Sequence, residues 1–262
     1  MYERNLCTLA TCALGALLLA CSVGGGHSGD DETWRVHDMS RPQPEVVTPG
    51  TPSLGKIPGN APSDALILFD GNDLDAWTGK DGKAPWMIDD GVIVIKPGSG
   101  DMMTRRKFGD VQYHMEWMVP ADRKTSGQKG GNSGLFLMDR YEIQILDSHE
   151  NKTYPDGMAA SFYGQHPPAV NPTTRKGTWN TYDVIFRAPR WDAAGTRISP
   201  ARATVLFNGV MVHDSQTFKG PTESWKKDKP HGPDVLRLQD HQDPIHFRNI
   251  WVRDLSTPEG ET

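Results

Sequence analysis

The sequence predicts an all-β domain built as a sandwich, jelly roll or barrel. Three observations carry this. From Asp64 onward, short runs of β-branched and aromatic residues are broken every few positions by turn formers. Asn208-Gly209 stands between two such runs, and this dipeptide is a strong hairpin signal. No stretch carries three turns of helical amphipathicity, and no fixed-period repeat points to a propeller.

The runs justify themselves in order. Residues 65–69 are apolar and stop at Asp70-Gly71. Residues 86–88 and 92–95 flank Asp89-Asp90-Gly91, a second hairpin pattern. Strands are then expected over 111–119, 134–138, 141–146 and 181–187. Residues 203–207 and 210–213 flank Asn208-Gly209, and 235–238 and 247–253 complete the set. About ten strands in one region favour two packed sheets.

Composition narrows the function. The chain has 262 residues, 36% of them apolar and 23% charged, with formal net charge −5. That suffices for one sizeable core and argues against a non-specific nucleic-acid binder. Nucleophile-elbow, P-loop and dinucleotide fingerprints do not occur, which removes the commonest hydrolase and nucleotide-dependent readings.

The first residues read as an address. Residues 6–20 are apolar or small, of signal-peptide length, and too short to span a bilayer comfortably. Leu18-Leu19-Ala20-Cys21 resembles a bacterial lipobox, so Cys21 is the expected lipidation site and 1–20 the signal peptide. The chain is thus expected to be an exported lipoprotein, on the periplasmic side or at the outer membrane, touching the membrane through its anchor. Ser22 follows Cys21, and the absence of Asp there favours the outer membrane. The other cysteines, Cys7 and Cys12, leave with the signal, so the mature domain has no disulfide and no Cys nucleophile. Residues 21–32 are a small, polar tether, 33–63 a Pro-rich strap, 64–256 the β-domain and 257–262 a tail.

Alternation locates candidate site residues. In Tyr141-Glu142-Ile143-Gln144-Ile145, the apolar residues share one face and lift Glu142 and Gln144 onto the other. That second face is either plain solvated surface or a site. Gly130-Gly131-Asn132-Ser133-Gly134 precedes a strand and permits close approach of a ligand. Trp179 beside Asn180 is either a sugar-facing pair or core. Residues 238–243 set His241 among Gln239, Asp240, Gln242 and Asp243. No His spacing matches a metal motif, so a metal is left open.

Taken in order, Leu68 to Leu74, Trp77, Asn132 to Phe136, Tyr141 to Asp147, Gly177 to Tyr182, Asn208 to Val210, Leu238 to His241 and Phe247 to Ile250 resemble the 3-keto-disaccharide hydrolase domain family. The resemblance covers about residues 64–255, and the Pro-rich stretch from Trp34 to Gly50 resembles an N-terminal extension of many members. It implies a concanavalin A-like jelly roll of two antiparallel sheets. It also implies an oxidised saccharide as substrate: a glycoside carrying a ketone at C3.

Such a ketone acidifies the C2 hydrogen, so the site needs a base near C2 and a donor or cation near the C3 oxygen. On this reading Glu142 is the base, and His241 is the alternative base or the acid at the leaving group. Gln144 and Gln239 bind sugar hydroxyls. Asn132, His166 and Arg248 orient the sugar or stabilise the enolate oxygen, and Tyr163 and Trp179 form stacking walls. Asp147 and Asp240 orient other groups or hold a divalent metal. Two rivals remain: a non-catalytic carbohydrate-binding lipoprotein, and a direct endoglucanase-like glycosidase using Glu142 and Asp147.

Overall fold

The alternating runs become two stacked antiparallel sheets in the computed structural model, which describes residues 43–222 and 228–256. The signal peptide, Cys21, the tether and the tail lie outside the described residues, as do residues 33–42 of the strap. The compact unit that holds the β-domain begins at Glu45, inside the expected strap. Among the described residues no helix is long and apolar enough to cross a membrane.

The larger sheet runs β13 (Val210–Thr217), β12 (Arg202–Phe207), β9 (Asn180–Arg187), β6 (Val111–Met118), β15 (His246–Asp254), β4 (Val92–Val94) and β3 (Met87–Asp89). An eighth strand, β1 (Leu66–Phe69), pairs with the second half of β15. The smaller sheet runs β2 (Trp77–Thr78), β5 (Met102–Phe108), β14 (Asp234–Leu238), β7 (Ser133–Leu137) and β8 (Tyr141–Ile145). A separate ribbon pairs β10 (Arg190–Trp191) with β11 (Arg197–Ser199). This is the expected jelly-roll sandwich.

The core lies between the sheets and follows from alternation. Tyr113, Met115 and Trp117 of β6 and Tyr182, Val184 and Phe186 of β9 are fully buried. Leu135 and Leu137 of β7, Ile143 and Ile145 of β8, and Leu236 and Leu238 of β14 are buried with them in one cluster. The alternate residues, among them Gly134, Phe136, Glu142, Gln144 and Arg237, therefore face away from it.

Two local features position side chains. The first is a bulge in β15. Arg248 pairs with Glu116, but Trp251 pairs with His114, so β15 carries one extra residue opposite β6. Asn249 takes up the irregularity at φ +48°. In a regular strand Arg248 and Asn249 would point to opposite faces; the bulge brings both to Glu116. The second is the cover on β8. Gln144 exchanges backbone hydrogen bonds with the segment beyond, through Gln144 N–H to Ser161 O (3.0 Å) and Ala160 N–H to Gln144 O (2.9 Å). Thr222 Oγ1 accepts from the Glu142 N–H at 3.0 Å. These contacts cap an edge that would otherwise be free to pair with another chain. They also bury the face that a plain solvated strand would have exposed.

Candidate functional site

The outward face of the smaller sheet holds a cavity of about 420 Å³. Its floor is a row across three strands, because Arg237 pairs with Phe136 and Phe136 pairs with Glu142. The Arg237 guanidinium lies 3.6 Å over the Phe136 ring. Arg237 also donates to Asp101 Oδ2 at 2.6 Å and to Asp139 through Nε. Two carboxylates and a stacked ring thus fix one cation against the floor.

Glu142 is 4% exposed, and its carboxylate leans over Gly134 on the neighbouring strand. A Cβ at Gly134 would stand 2.6 Å from Glu142 Oε1 and 2.9 Å from the Phe136 ring. The glycine in the Asn132-Ser133-Gly134 pattern is therefore the space in which the carboxylate sits. Gln239 completes the floor; its backbone N–H bonds Gly134 O at 3.0 Å, while Ser133 Oγ donates to its carbonyl at 2.8 Å. Asp139, Arg140, Pro221, Thr222, Asp228 and Lys229 form the walls.

Other expected site residues fall elsewhere. Asn132 and Gln144 converge on Gln128: Asn132 Nδ2 donates to its carbonyl at 3.0 Å, and Gln144 Nε2 to its Oε1 at 3.3 Å. Both support the loop before β7 and are absent from the cavity lining. Tyr163 bonds the Tyr154 hydroxyl at 2.9 Å, while its N–H donates to Glu142 O. His166 is half-buried, with its ring edge toward Phe162. Burial and the charge of Lys219 hold its pKa below the ordinary value. His241 is exposed and does not line the cavity, because residues 240–242 turn outward beyond β14.

Arg248 and Trp179 do come together, but on the other sheet. Arg248 lies 4.2 Å from the Trp179 ring, and both line a cavity of about 630 Å³ with Glu116, Ser53 and Lys56. The expectation that they share a site with Glu142 is corrected by the cavities they line, since Arg248 is on β15 and Trp179 immediately precedes β9, at the larger sheet, while Glu142 lines the cavity over the smaller one.

Asp147 and Asp240 are each committed to local bonds. Asp147 accepts from the Thr125 hydroxyl and the His149 N–H, and lines a third cavity. Asp240 accepts from the N–H groups of Gly100 and Gln242. Among the described residues no three His, Cys, Asp or Glu side chains are grouped to hold a metal. Glu142 and Asp147 also line different cavities, so the endoglucanase-like pairing is not assembled.

The Glu116 cluster is fully built. Arg248 Nε donates to Glu116 Oε2 at 2.7 Å and Asn249 to Oε1 at 2.8 Å, and Ser53 bonds Oε1 as well. Two further Arg248 donors reach Gly55 O and Lys56 O, each at 2.8 Å. This arrangement straps residues 53–56 onto the sheet. Burial pushes the Glu116 carboxyl up, but bonds from His114, Ser53, Asn249 and Arg248 outweigh it and hold the pKa at about 2. Burial pushes His114 down, but its bonds to Asp183 (2.6 Å) and Glu116 outweigh that and raise it to about 9.

These shifts set a pH window. The raised His114 contributes stability that is complete below its ordinary 6.5 and disappears as pH rises through about 9. The depressed Glu116 contributes stability that is complete above its ordinary 4.5 and disappears as pH falls through about 2. The melting temperature is therefore expected to drop by roughly 5 °C between pH 6.5 and 9.5, for a loss of about 1–3 kcal/mol. His114→Asn should flatten that slope; an unchanged slope would contradict the assignment.

Comparison with known proteins now decides the family. The family model described as a 3-keto-alpha-glucoside-1,2-lyase-like domain matches residues 64–253. The chain belongs to this family. A crystal structure of a candidate glycosyl hydrolase from Parabacteroides distasonis is 40% identical, with a TM-score of 0.77. The match covers 88% of this chain and 99% of that one. A second candidate glycosyl hydrolase from that organism, at 18% identity and TM-score 0.55, covers 74% of this chain and 94% of its own. It shares the fold. No curated protein matches the chain. Membership of the 3-keto-alpha-glucoside-1,2-lyase-like family makes this a carbohydrate-active, glycosyl-hydrolase-like protein with the concanavalin A-like sandwich described above.

Several residues of the cavity escape a reading of the sequence. Phe136 and Arg237 are legible in principle: each is the outward residue of a Leu-x-Leu triplet, in 135–137 and 236–238. Asp228 and Lys229 carry no such signal, because they lie on an irregular segment.

Proposed function

We propose that this protein cleaves 3-keto-glycosides in the cavity over the smaller sheet, with Glu142 removing the proton from C2. The supporting observation is the Arg237–Phe136–Glu142 row, which sets a buried carboxylate and a fixed cation on one floor. The family description names a 1,2-lyase on a 3-keto-glucoside, and that chemistry needs this pair of groups.

The step follows from the ketone. Glu142 takes the C2 proton, and the electron pair moves onto the C3 oxygen as an enolate. A cation nearby, Arg237 or Lys229, stabilises the developing charge. The enolate then re-forms the carbonyl while a C1=C2 bond forms and the C1–O bond to the leaving group breaks. The departing oxygen takes a proton, for which protonated Glu142 is a source. Water added across C1=C2 gives the free 3-keto sugar, a net hydrolysis. Phe136 backs the Arg237 guanidinium and holds that cation against the floor. Attachment of lipid at Cys21 would hold this chemistry at an exported membrane surface; Cys21→Ser should move the protein to the soluble fraction, and unchanged membrane retention would overturn that part.

Incubation with a chromogenic 3-keto-β-glucoside and its unoxidised parent tests the proposal. Release from the keto compound alone is expected. Release from the parent at a similar rate would replace this reading with direct glycoside hydrolysis.

A further inference from the structure

The cavity at the larger sheet has no part in the mechanism above. At about 630 Å³ it exceeds the one over the Glu142 floor and falls in the range of small-molecule sites. Its floor is also a row across three strands, because Thr181 of β9 pairs with Glu116 of β6 and Glu116 pairs with Arg248 of β15. Residues 53–56, held down by Arg248 and Glu116, form one wall, and Trp179 forms another. Val92 and Met118 add apolar surface.

Trp179 is built as a platform. The Arg248 guanidinium covers one face of the ring at 4.2 Å and is itself fixed by Glu116 and the carbonyls of Gly55 and Lys56. The ring is therefore held in place, yet Trp179 is only half-buried. Its indole N–H makes no hydrogen bond among the described residues and, unlike those of Trp117 and Trp191, is not sealed from solvent. Thr181 Oγ1 is likewise unpartnered among the described residues and open to solvent. A fixed ring, a free donor and a free hydroxyl thus meet in one cavity.

The charges select the ligand class. Lys56 and Arg248 offset Asp90 and Glu116, so the lining carries no net formal charge. A neutral ligand with an apolar C–H face and a set of hydroxyls matches this lining, and a sugar ring has both. We propose that this cavity is a second, non-catalytic saccharide site, which binds a neutral glucose-based oligosaccharide through Trp179 and Thr181. The choice of a glucose-based ligand rests on the function proposed above; the site itself makes no use of Glu142. Because the two cavities lie at different sheets, the second site retains saccharide at the protein without blocking turnover.

The test is an NMR titration of the isotopically labelled protein with maltotriose and with cellotriose. Neither carries a ketone at C3, so neither is consumed by the proposed chemistry. At least one should shift the Trp179 indole N–H and the amides of residues 53–56, 90–92 and 177–181, and leave residues 134–142 and 237–239 in place. Trp179→Ala should weaken this binding at least about 30-fold, as expected for a central aromatic anchor. Thr181→Val, which keeps the platform intact, should weaken it by about 3- to 10-fold, the value of one hydrogen bond. Trp179→Ala should leave release from a chromogenic 3-keto-β-glucoside unchanged. No shift with either trisaccharide, shifts confined to residues 134–142 and 237–239, or binding that survives Trp179→Ala would overturn the second site, while turnover of the keto compound would still uphold the proposed function. Shifts at residues 177–181 without turnover of the keto compound would overturn the proposed function and leave the second site standing.

Discussion

Glu142→Gln is expected to lower kcat on a 3-keto-glucoside by about 100- to 10,000-fold, the usual contribution of a positioned general base. The substitution keeps the size of the side chain and its place over Gly134. The backbone contacts of residue 142, its N–H to Thr222 Oγ1 and its carbonyl to the Tyr163 N–H, do not involve the carboxylate. Those contacts survive the substitution, so the variant should still fold. An amide has no basicity to take the C2 proton, so the loss falls on turnover. Wild-type-like kcat in a folded variant would remove Glu142 from the mechanism. An equal loss of activity and of melting temperature would mark it as structural.

Arg248→Ala is expected to be the most destabilising single change, at about 3–5 kcal/mol. Glu116 is fully buried and Arg248 is 5% exposed, so removing the guanidinium takes the closest cation and its hydrogen bond from a buried anion and leaves it only the more distant His114. The same change cuts the two bonds that hold Gly55 and Lys56 and takes the support from under Trp179. A drop in melting temperature of about 10 °C follows for a domain of this size. The double variant Glu116→Gln, Arg248→Met should recover part of it, because neither partner then carries an unpaired charge. A melting temperature within about 2 °C of the wild type for Arg248→Ala would contradict this account of the larger sheet.

The two variants separate the two outward faces. The smaller sheet presents the chemistry proposed for turnover, and the larger sheet a satisfied ionic cluster that clamps residues 53–56. This division bears on what the sequence can reveal. The strands that alternate cleanly are legible: β6, β7, β8, β9 and β12 all fall within or against the runs expected of them. The seven-residue β5 is not, because Arg105, Arg106 and Lys107 are consecutive and exposed and erase the period of two. The short β2 and the β10–β11 ribbon lack the length on which a pattern depends.

Legibility of the site divides the same way. Alternation correctly sets Glu142 and Gln144 opposite the core face of β8. It says nothing about which other strand stands beside them. That is why sequence alone groups Arg248 and Trp179, which line a cavity at the other sheet, with Glu142, and passes over Arg237 and Phe136. The β15 bulge is equally hidden, since no Gly marks it and Asn249 alone bears the left-handed turn. His241 illustrates the remaining gap. Its sequence neighbours are polar, which suits both an exposed turn and a site, and only the course of the chain after β14 distinguishes them.

The central claim is that the bond at C1 breaks because Glu142 first removes the hydrogen at C2. Following a 3-keto-glucoside deuterated at C2 by NMR during cleavage tests it most directly. The account predicts that the wild-type protein loses the C2 deuterium to solvent with a slowed release of the leaving group, and that Glu142→Gln does neither at a comparable rate. Cleavage by the wild-type protein with the C2 deuterium retained in the product would contradict it.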